Sequence, residues 1–162
     1  MSERVDRIVT TAVVESLENM VFMEVLAATE ESRQSVAEKT LSVKQQVLAP
    51  MQGEFHLLMP RPLVGMIAET IFTIAMEEVS EQQLEDVATE LLNTIAGKFL
   101  NDFLPTDETY KLGLPVTEIT GVAEQDQQAE KWCFQIAEQS FTLTISENIL
   151  ETDSVENDTC GR

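Results

Sequence analysis

The sequence predicts an α+β fold in which long helices pack on one side of an antiparallel β-sheet. Three observations support this prediction. A length of 162 residues fits one domain. Apolar residues recur at helical spacing in three segments, and the order of helix, two strands, helix pair and three strands repeats a helix followed by antiparallel strands. We place the single domain at residues 1–147, followed by an acidic, flexible C-terminal tail at 148–162.

The first helix is predicted over residues 4–28. Its apolar side chains follow the period of a long amphipathic helix. They are Val5, Ile8, Val9, Ala12, Val13, Leu17, Met20, Val21 and Val25. A polar connection follows, and two strand-like runs at 41–49 and 54–59 are separated by a segment containing Pro50 and Gly53, which suits a hairpin turn.

Two adjacent helices are predicted next, at residues 62–78 and 80–103. Pro62 suits the first turn of a helix, because a proline there loses no helical hydrogen bond. Ser80 stands three residues before Gln83, the spacing of a capping box, in which each side chain satisfies a backbone amide of the other residue. Three strand-like runs complete the domain, at 116–122, 131–137 and 141–146.

The charge of the chain excludes several classes of function. Ten Lys and Arg residues against 29 Asp and Glu residues give a net charge of −19, which would repel nucleic acid and anionic membrane surfaces. No apolar run reaches the about 18 residues of a membrane span, and the acidic N-terminal segment does not resemble a signal peptide, so we expect a cytoplasmic protein. Cys133 and Cys160 have neither metal-ligand spacing nor the density of a disulfide scaffold.

The helix predicted at 80–103 carries an unusual polar face. Asp86, Glu90, Asn93 and Gly97 fall within about 60° of one another on a helical wheel. An exposed helix face normally mixes cations with acids, yet this face has no cation before Lys98. The apolar residues of the same helix gather on the opposite side: Leu84, Val87, Leu91, Ile95 and Phe99.

Two interpretations of this face follow from the residues themselves. Gly97 in a helix interior costs about 1 kcal/mol relative to alanine, and the missing side chain would let another backbone approach closely. The polar face would then contact another molecule. Alternatively, Glu90 and Asn93 are solvated surface residues, and Gly97 is a local weakness or an internal packing contact.

The spacing of these residues resembles the signature of the CheC, CheX and FliY phosphatases of bacterial chemotaxis. That signature is an acid, three residues, Glu, two residues, Asn, and 21 residues to a proline, here Asp86, Glu90, Asn93 and Pro115. The segment "ELLNTIAG" is similar to the family's "ELxNMIAG", and the order of elements agrees over residues 4–146. The chain departs from the family in having Thr89 and Thr94 where glycine and methionine are common.

The resemblance is closest to CheX-like members, which carry one site rather than two. On the first helix, Thr11, Glu15 and Glu18 align with the acid, Glu and Asn of the motif, and Phe22 takes the place of the glycine. A carboxylate in the Asn position can only accept hydrogen bonds, and a phenylalanine would obstruct close approach. One working site is expected.

The resemblance implies hydrolysis of the phosphoaspartate of a CheY-like response regulator. Asn93 would orient the attacking water, and Glu90 would pair with a lysine beside the regulator's phosphorylation site. Asp86 would be a docking contact or a solvated residue, Gly97 would give the regulator's loops room, and Pro115 would end a loop at the start of a strand. The Mg²⁺ ion that this chemistry needs would belong to the regulator, because no cluster in this chain has a convincing ligand pattern.

CheX-like proteins are dimers, so the resemblance also implies a homodimer, joined through an exposed strand such as residues 116–122. The alternative function is a non-catalytic protein that binds a receiver domain or a flagellar or adaptor partner. His56 has no serine or cysteine at a known catalytic spacing and is interpreted as a structural residue.

Overall fold

A computed structural model describes residues 3–28, 40–120 and 128–151, and it confirms the α+β class. The elements are α1 (Glu3–Val21), β1 (Val25–Ala28), β2 (Thr40–Ala49), β3 (Gly53–Pro60), α2 (Arg61–Phe72), a 3₁₀ turn (Met76–Glu78), α3 (Glu81–Phe103), β4 (Lys111–Leu112), β5 (Val116–Thr120), β6 (Ala129–Ile136) and β7 (Gln139–Ser146).

The strands form one seven-stranded antiparallel sheet in the order β1-β6-β7-β3-β2-β4, with β5 also paired to β2. The predicted hairpin is present: β2 pairs with β3 from Thr40 opposite Pro60 to Val47 opposite Gly53, and the Ala49–Pro50 peptide bond is cis. Within the described part of the chain, β5 pairs with β2 alone. The homodimer expected through this strand stays a prediction.

The three helices lie on one face of the sheet, and α3 is central because it contacts α1, α2 and the strands β2 and β3. Side chains alternate along each strand, so Val43 on β2, Leu57 on β3 and Leu143 on β7 are buried beneath the helices. Phe99 of α3 meets Phe55 edge to face, with ring centroids 5.6 Å apart. The helix that carries the predicted site is therefore anchored to the core along its length.

The start of α3 is fixed by the predicted capping box. Ser80 Oγ accepts a hydrogen bond from the backbone N–H of Gln83 at 3.1 Å, and Gln83 Oε1 accepts one from the backbone N–H of Ser80 at 2.9 Å. These two bonds satisfy amides that a helix start otherwise leaves unpaired.

The helix predicted at residues 4–28 wrongly includes a strand. It ends at Val21, where Phe22 adopts a left-handed conformation with φ of 58°, and residues 25–28 form β1, which pairs with β6. The apolar spacing of the helix runs on into this edge strand, which is why the sequence did not separate them.

Other boundaries also differ from the prediction. The helix predicted at 62–78 ends at Phe72, because Thr73 is left-handed with φ of 56°. The two-residue strand β4 was not predicted. Residues 147–151 are helical and bury Ile149, so the fold extends beyond residue 147, while 152–162 lie outside the described residues. None of the helices described is long and apolar enough to cross a membrane.

Candidate functional site

The polar face of α3 is exposed as the helical wheel predicts. Asp86, Glu90 and Asn93 are exposed and Gly97 is half-buried. The residues between them on the other side of the helix, including Leu91 and Leu92, are fully buried. The structure therefore brings Glu90 and Asn93 together on one open surface, one turn apart.

The Glu90 carboxylate has no hydrogen bond or ion pair with any of the side chains described. Thr94 Oγ1 donates to the backbone carbonyl of Glu90 at 2.8 Å and so does not engage the carboxylate. Asp86 Oδ1 accepts a hydrogen bond from Gln82 Nε2 at 2.8 Å on the same helix. Both acids are exposed, and Glu90 is the one whose carboxylate no described side chain engages.

The Asn93 amide is held from below by a residue that the sequence analysis missed. Gln45, on β2, donates from Nε2 to Asn93 Oδ1 at 2.8 Å and to the backbone carbonyl of Gly113 at 2.9 Å. Gly113 is itself fixed to β2, because its N–H donates to the carbonyl of Gln46 at 2.8 Å. One buried amide thus joins β2, α3 and the segment before β5.

Gln45 is polar in a row of apolar side chains. Its neighbours on the helix-facing side of β2 are Leu41, Val43 and Val47, and Gln45 is 1% exposed. Its Oε1 is buried without a hydrogen-bond partner among the described residues, which costs about 1–3 kcal/mol. A glutamine at the core-facing position of an otherwise alternating strand is the signal by which the sequence could have revealed it.

Gly97 faces the protein's own Tyr110. A methyl group added at Gly97 would lie 3.4 Å from the Tyr110 hydroxyl, an ordinary van der Waals distance. The hydroxyl also donates a long hydrogen bond to the Gly97 carbonyl, at 3.4 Å. Because alanine would fit without displacing Tyr110, packing among the described residues does not require glycine there.

A shallow groove of about 380 Å³ lies beside the N-terminal half of this face. It runs between α3, which contributes Asp86, and the segment that enters β5, which contributes Leu114 and Pro115. Pro115 immediately precedes β5, as predicted. Leu114 is 89% exposed and places an apolar side chain next to the acidic end of the polar face.

The corresponding surface of α1 has a different structure. Glu15 forms an ion pair with Lys98 Nζ of α3 at 3.5 Å. Glu18 is exposed, and Phe22 lies beyond the end of the helix with 88% of its surface exposed. This surface therefore has neither an amide nor a free carboxylate at the motif's Asn and Glu positions.

Other candidate residues lie away from this face. His56 is on the sheet surface opposite the helices, and its Nε2 lies 2.5 Å from Ser42 Oγ, a partner the sequence analysis did not identify. Burial, and to a lesser degree the charge of Lys44, lowers the pKa of His56 below its usual value, and Glu118 opposes this shift.

Cys133 is free and half-buried, and Cys160 lies outside the described residues. Within the described ranges, no group of three or more His, Cys, Asp or Glu side chains could hold a metal ion.

Comparison with known families gives a specific match. The sequence profile of the family described as "Chemotaxis phosphatase CheX" matches residues 41–137. This region contains Gln45, the whole polar face of α3 and Gly113. A comparison with curated protein sequences gives no match.

Solved structures share the fold at low sequence identity. A CheC-like superfamily protein from Shewanella sp. PV-4 is 14% identical with a TM-score of 0.68, covering 90% of this chain and 98% of that one. The chemotaxis protein CheX from Vibrio vulnificus is 11% identical, with a TM-score of 0.68 and coverage of 88% and 97%. The CheX–CheY–BeF₃–Mg²⁺ complex from Borrelia burgdorferi matches at 12% identity and a TM-score of 0.62, with coverage of 87% and 96%.

Proposed function

Because this chain belongs to the CheX family of chemotaxis phosphatases, we propose that it hydrolyses the phosphoaspartate of a CheY-like response regulator. The observation that carries the proposal is that Glu90, whose carboxylate has no partner among the described residues, and the Asn93 amide lie one turn apart on the same exposed face of α3. The Borrelia protein of this family was crystallised with CheY, which supports the class of partner.

The reaction needs little covalent chemistry from this chain. Water attacks the phosphorus, the bond between phosphorus and the aspartyl oxygen breaks, and inorganic phosphate and the free carboxylate leave. An acyl phosphate is already activated, so orienting the water in line with the breaking bond is an effective form of catalysis. Asn93 performs this orientation, and the regulator's own Mg²⁺ balances the charge of the phosphoryl group.

Glu90 anchors the regulator. A carboxylate that approached the phosphoryl group directly would be repelled, whereas an ion pair with a lysine beside the phosphorylation site would hold the two surfaces in register. Asp86 and the exposed Leu114 lie at the edge of this contact and extend the docking surface along the groove. Gly97 leaves the space into which a loop of the regulator fits.

The proposal is tested by measuring phosphate release from a phosphorylated receiver domain, with and without this protein. Asn93→Ala should lower the accelerated rate by about a hundredfold or more, because it removes the group that orients the water. Asn101→Ala is the matched control, since Asn101 is another exposed asparagine on α3, two turns further along. Asn101→Ala should unfold at the wild-type temperature, whereas Asn93→Ala should lose about 1–3 kcal/mol of stability because it removes an acceptor of the buried Gln45 amide, so the rates are compared well below both unfolding transitions.

Full acceleration by the Asn93→Ala variant would remove the proposed mechanism. Binding of the phosphorylated receiver without any acceleration by the wild-type protein would instead favour a non-catalytic binding protein. The receiver domains encoded in the same genome provide the panel of substrates.

A further inference from the structure

We propose that Gln45 is a positioning residue that fixes the orientation of the Asn93 amide and thereby sets the rate of the reaction without contacting the regulator. This inference rests on the proposed function for its kinetic consequence. Its structural content, a single held orientation of the Asn93 amide, stands on the hydrogen bonds around Gln45.

The orientation of both amides follows from one backbone group. The Gly113 carbonyl oxygen can only accept a hydrogen bond, so the Gln45 atom that lies 2.9 Å from it must be the nitrogen. The same nitrogen lies 2.8 Å from Asn93, so the Asn93 atom that faces it must be the oxygen. The two hydrogens of the Gln45 amide are then shared between two acceptors.

This arrangement determines what Asn93 offers to another molecule. Its Oδ1 is turned toward the buried strand and has one of its two lone pairs occupied. Its Nδ2, with two hydrogens, is presented on the exposed side, next to the second lone pair. An exposed asparagine without such a partner would exchange the positions of its nitrogen and oxygen freely, and only one arrangement would orient a water productively.

The position of Gln45 in the fold argues against a role in packing alone. The other helix-facing residues of β2 are apolar, and an apolar residue at position 45 would avoid a buried Oε1 that bonds to none of the described residues. Proteins retain such locally unfavourable groups at functional sites, where rigid support for a reacting group compensates for lost stability. Gln45 is also fully enclosed, so it cannot bind the regulator itself.

The test compares Gln45→Met with the wild-type chain. Methionine has a similar length and flexibility but cannot donate a hydrogen bond, so the strand keeps its packing. At a saturating concentration of phosphorylated receiver, the rate of phosphate release should fall about tenfold. If the Asn93 amide only divided its time equally between two orientations, the rate would fall about twofold, and if the amide were displaced, the rate would fall about a hundredfold. Affinity for the receiver should change less than twofold, because Glu90 is untouched.

Val43→Ala is the control for a merely structural effect. Val43 is buried two residues away in the same row, and its truncation lowers stability without changing any hydrogen bond to Asn93. If Val43→Ala slows the reaction of the folded protein as much as Gln45→Met does, or if Gln45→Met keeps the wild-type rate, the positioning role is wrong.

A second measurement is independent of activity. Scalar couplings that depend on the torsion about the Cβ–Cγ bond of Asn93 can be measured by NMR in the free protein. They should report one amide rotamer in the wild-type chain and averaged rotamers in Gln45→Met. Averaged couplings in the wild type would overturn the positioning role. If the couplings report one rotamer and no receiver domain is dephosphorylated, the proposed function fails while the positioning of Asn93 stands. If Gln45→Met does not fold, Gln45→Leu takes its place, because leucine also cannot donate a hydrogen bond and suits the apolar row of β2.

Discussion

The helices α1 and α3 present aligned faces that differ in what their side chains are free to do. On α3, Glu90 has no partner among the residues described, and Asn93 is held by a buried amide. On α1, the residue aligned with Glu90 is Glu15, which is paired with Lys98, and the residue aligned with Asn93 is an acid, Glu18. Two faces with the same residue spacing can therefore differ in which side chains are free and which are held in place.

The backbone separates the two faces as well. Gly97 lies within a right-handed helix that continues to Phe103, whereas the aligned Phe22 lies one residue past the end of α1, with φ of 58°. The α1 face therefore ends one turn short of the α3 face. Glycine weakens a helix interior and suits a left-handed helix end. Backbone conformation alone would therefore favour glycine at position 22 and another residue at position 97, the reverse of what the chain has.

The largest expected difference between the two faces is in binding the regulator. Glu90→Lys should weaken the affinity for a phosphorylated receiver by about a hundredfold, because it places a cation against the lysine that the carboxylate would pair with. Glu18→Lys, on α1, makes the same change in net charge and should alter the affinity little. Isothermal titration calorimetry at fixed ionic strength compares them, and equal losses would mean that overall charge, rather than a specific ion pair, controls binding.

A smaller effect is expected at Gly97. Gly97→Ala should increase the free energy of unfolding by up to about 1 kcal/mol, because alanine favours the helix, and this raises the melting temperature by about 2–4 °C. The same methyl group should weaken receiver binding about tenfold by occupying the space left for the regulator, at a cost of about 1.4 kcal/mol.

Gly65→Ala provides the matched control for Gly97→Ala. Gly65 lies on α2, where an added methyl group would meet the Met76 side chain at 3.6 Å, an ordinary contact. This variant should gain stability in the same way and bind the receiver as the wild type does. Unchanged affinity in Gly97→Ala would show that the regulator does not approach this part of α3.

The smallest expected effect concerns Phe22. Phe22→Gly should stabilise the protein by about 0.5–1 kcal/mol, because glycine adopts the left-handed conformation without strain and the exposed phenyl ring contributes little buried surface. Glu18→Gly, within right-handed α1, should have the opposite sign. Chemical denaturation measures both, and a destabilised Phe22→Gly would mean that the ring packs against a surface that supports α1.

Local signals in the sequence predicted the parts of this fold that local interactions determine. The start of α3 was placed correctly because the capping box of Ser80 and Gln83 involves residues three apart. The fold class followed from the alternation of apolar periods. The end of α1 was missed because the residues of β1, "VLAA", suit a helix equally well, and only the pairing of β1 with β6 makes them a strand.

The candidate site also has a part that local spacing predicts and a part that depends on distant segments of the chain. Helical spacing placed Glu90 and Asn93 on one face without reference to the rest of the chain. Gln45 could not be found by spacing, since it is 48 residues from Asn93 and 68 residues from Gly113, and its role depends on how β2 packs beneath α3. The alternation of Leu41, Val43 and Val47 indicates that Gln45 faces the core, but only the packing of β2 beneath α3 identifies Asn93 as its partner.

The dependence of Asn93 on Gln45 and Gly113 limits how far the motif can be transplanted. A peptide or a foreign helix that carries "ELLNTIAG" would reproduce the acid and the amide, but its asparagine would rotate freely in solvent. Grafting the proposed activity onto another scaffold would require Gln45 on β2 and the Gly113 backbone as well as the eight-residue segment of α3.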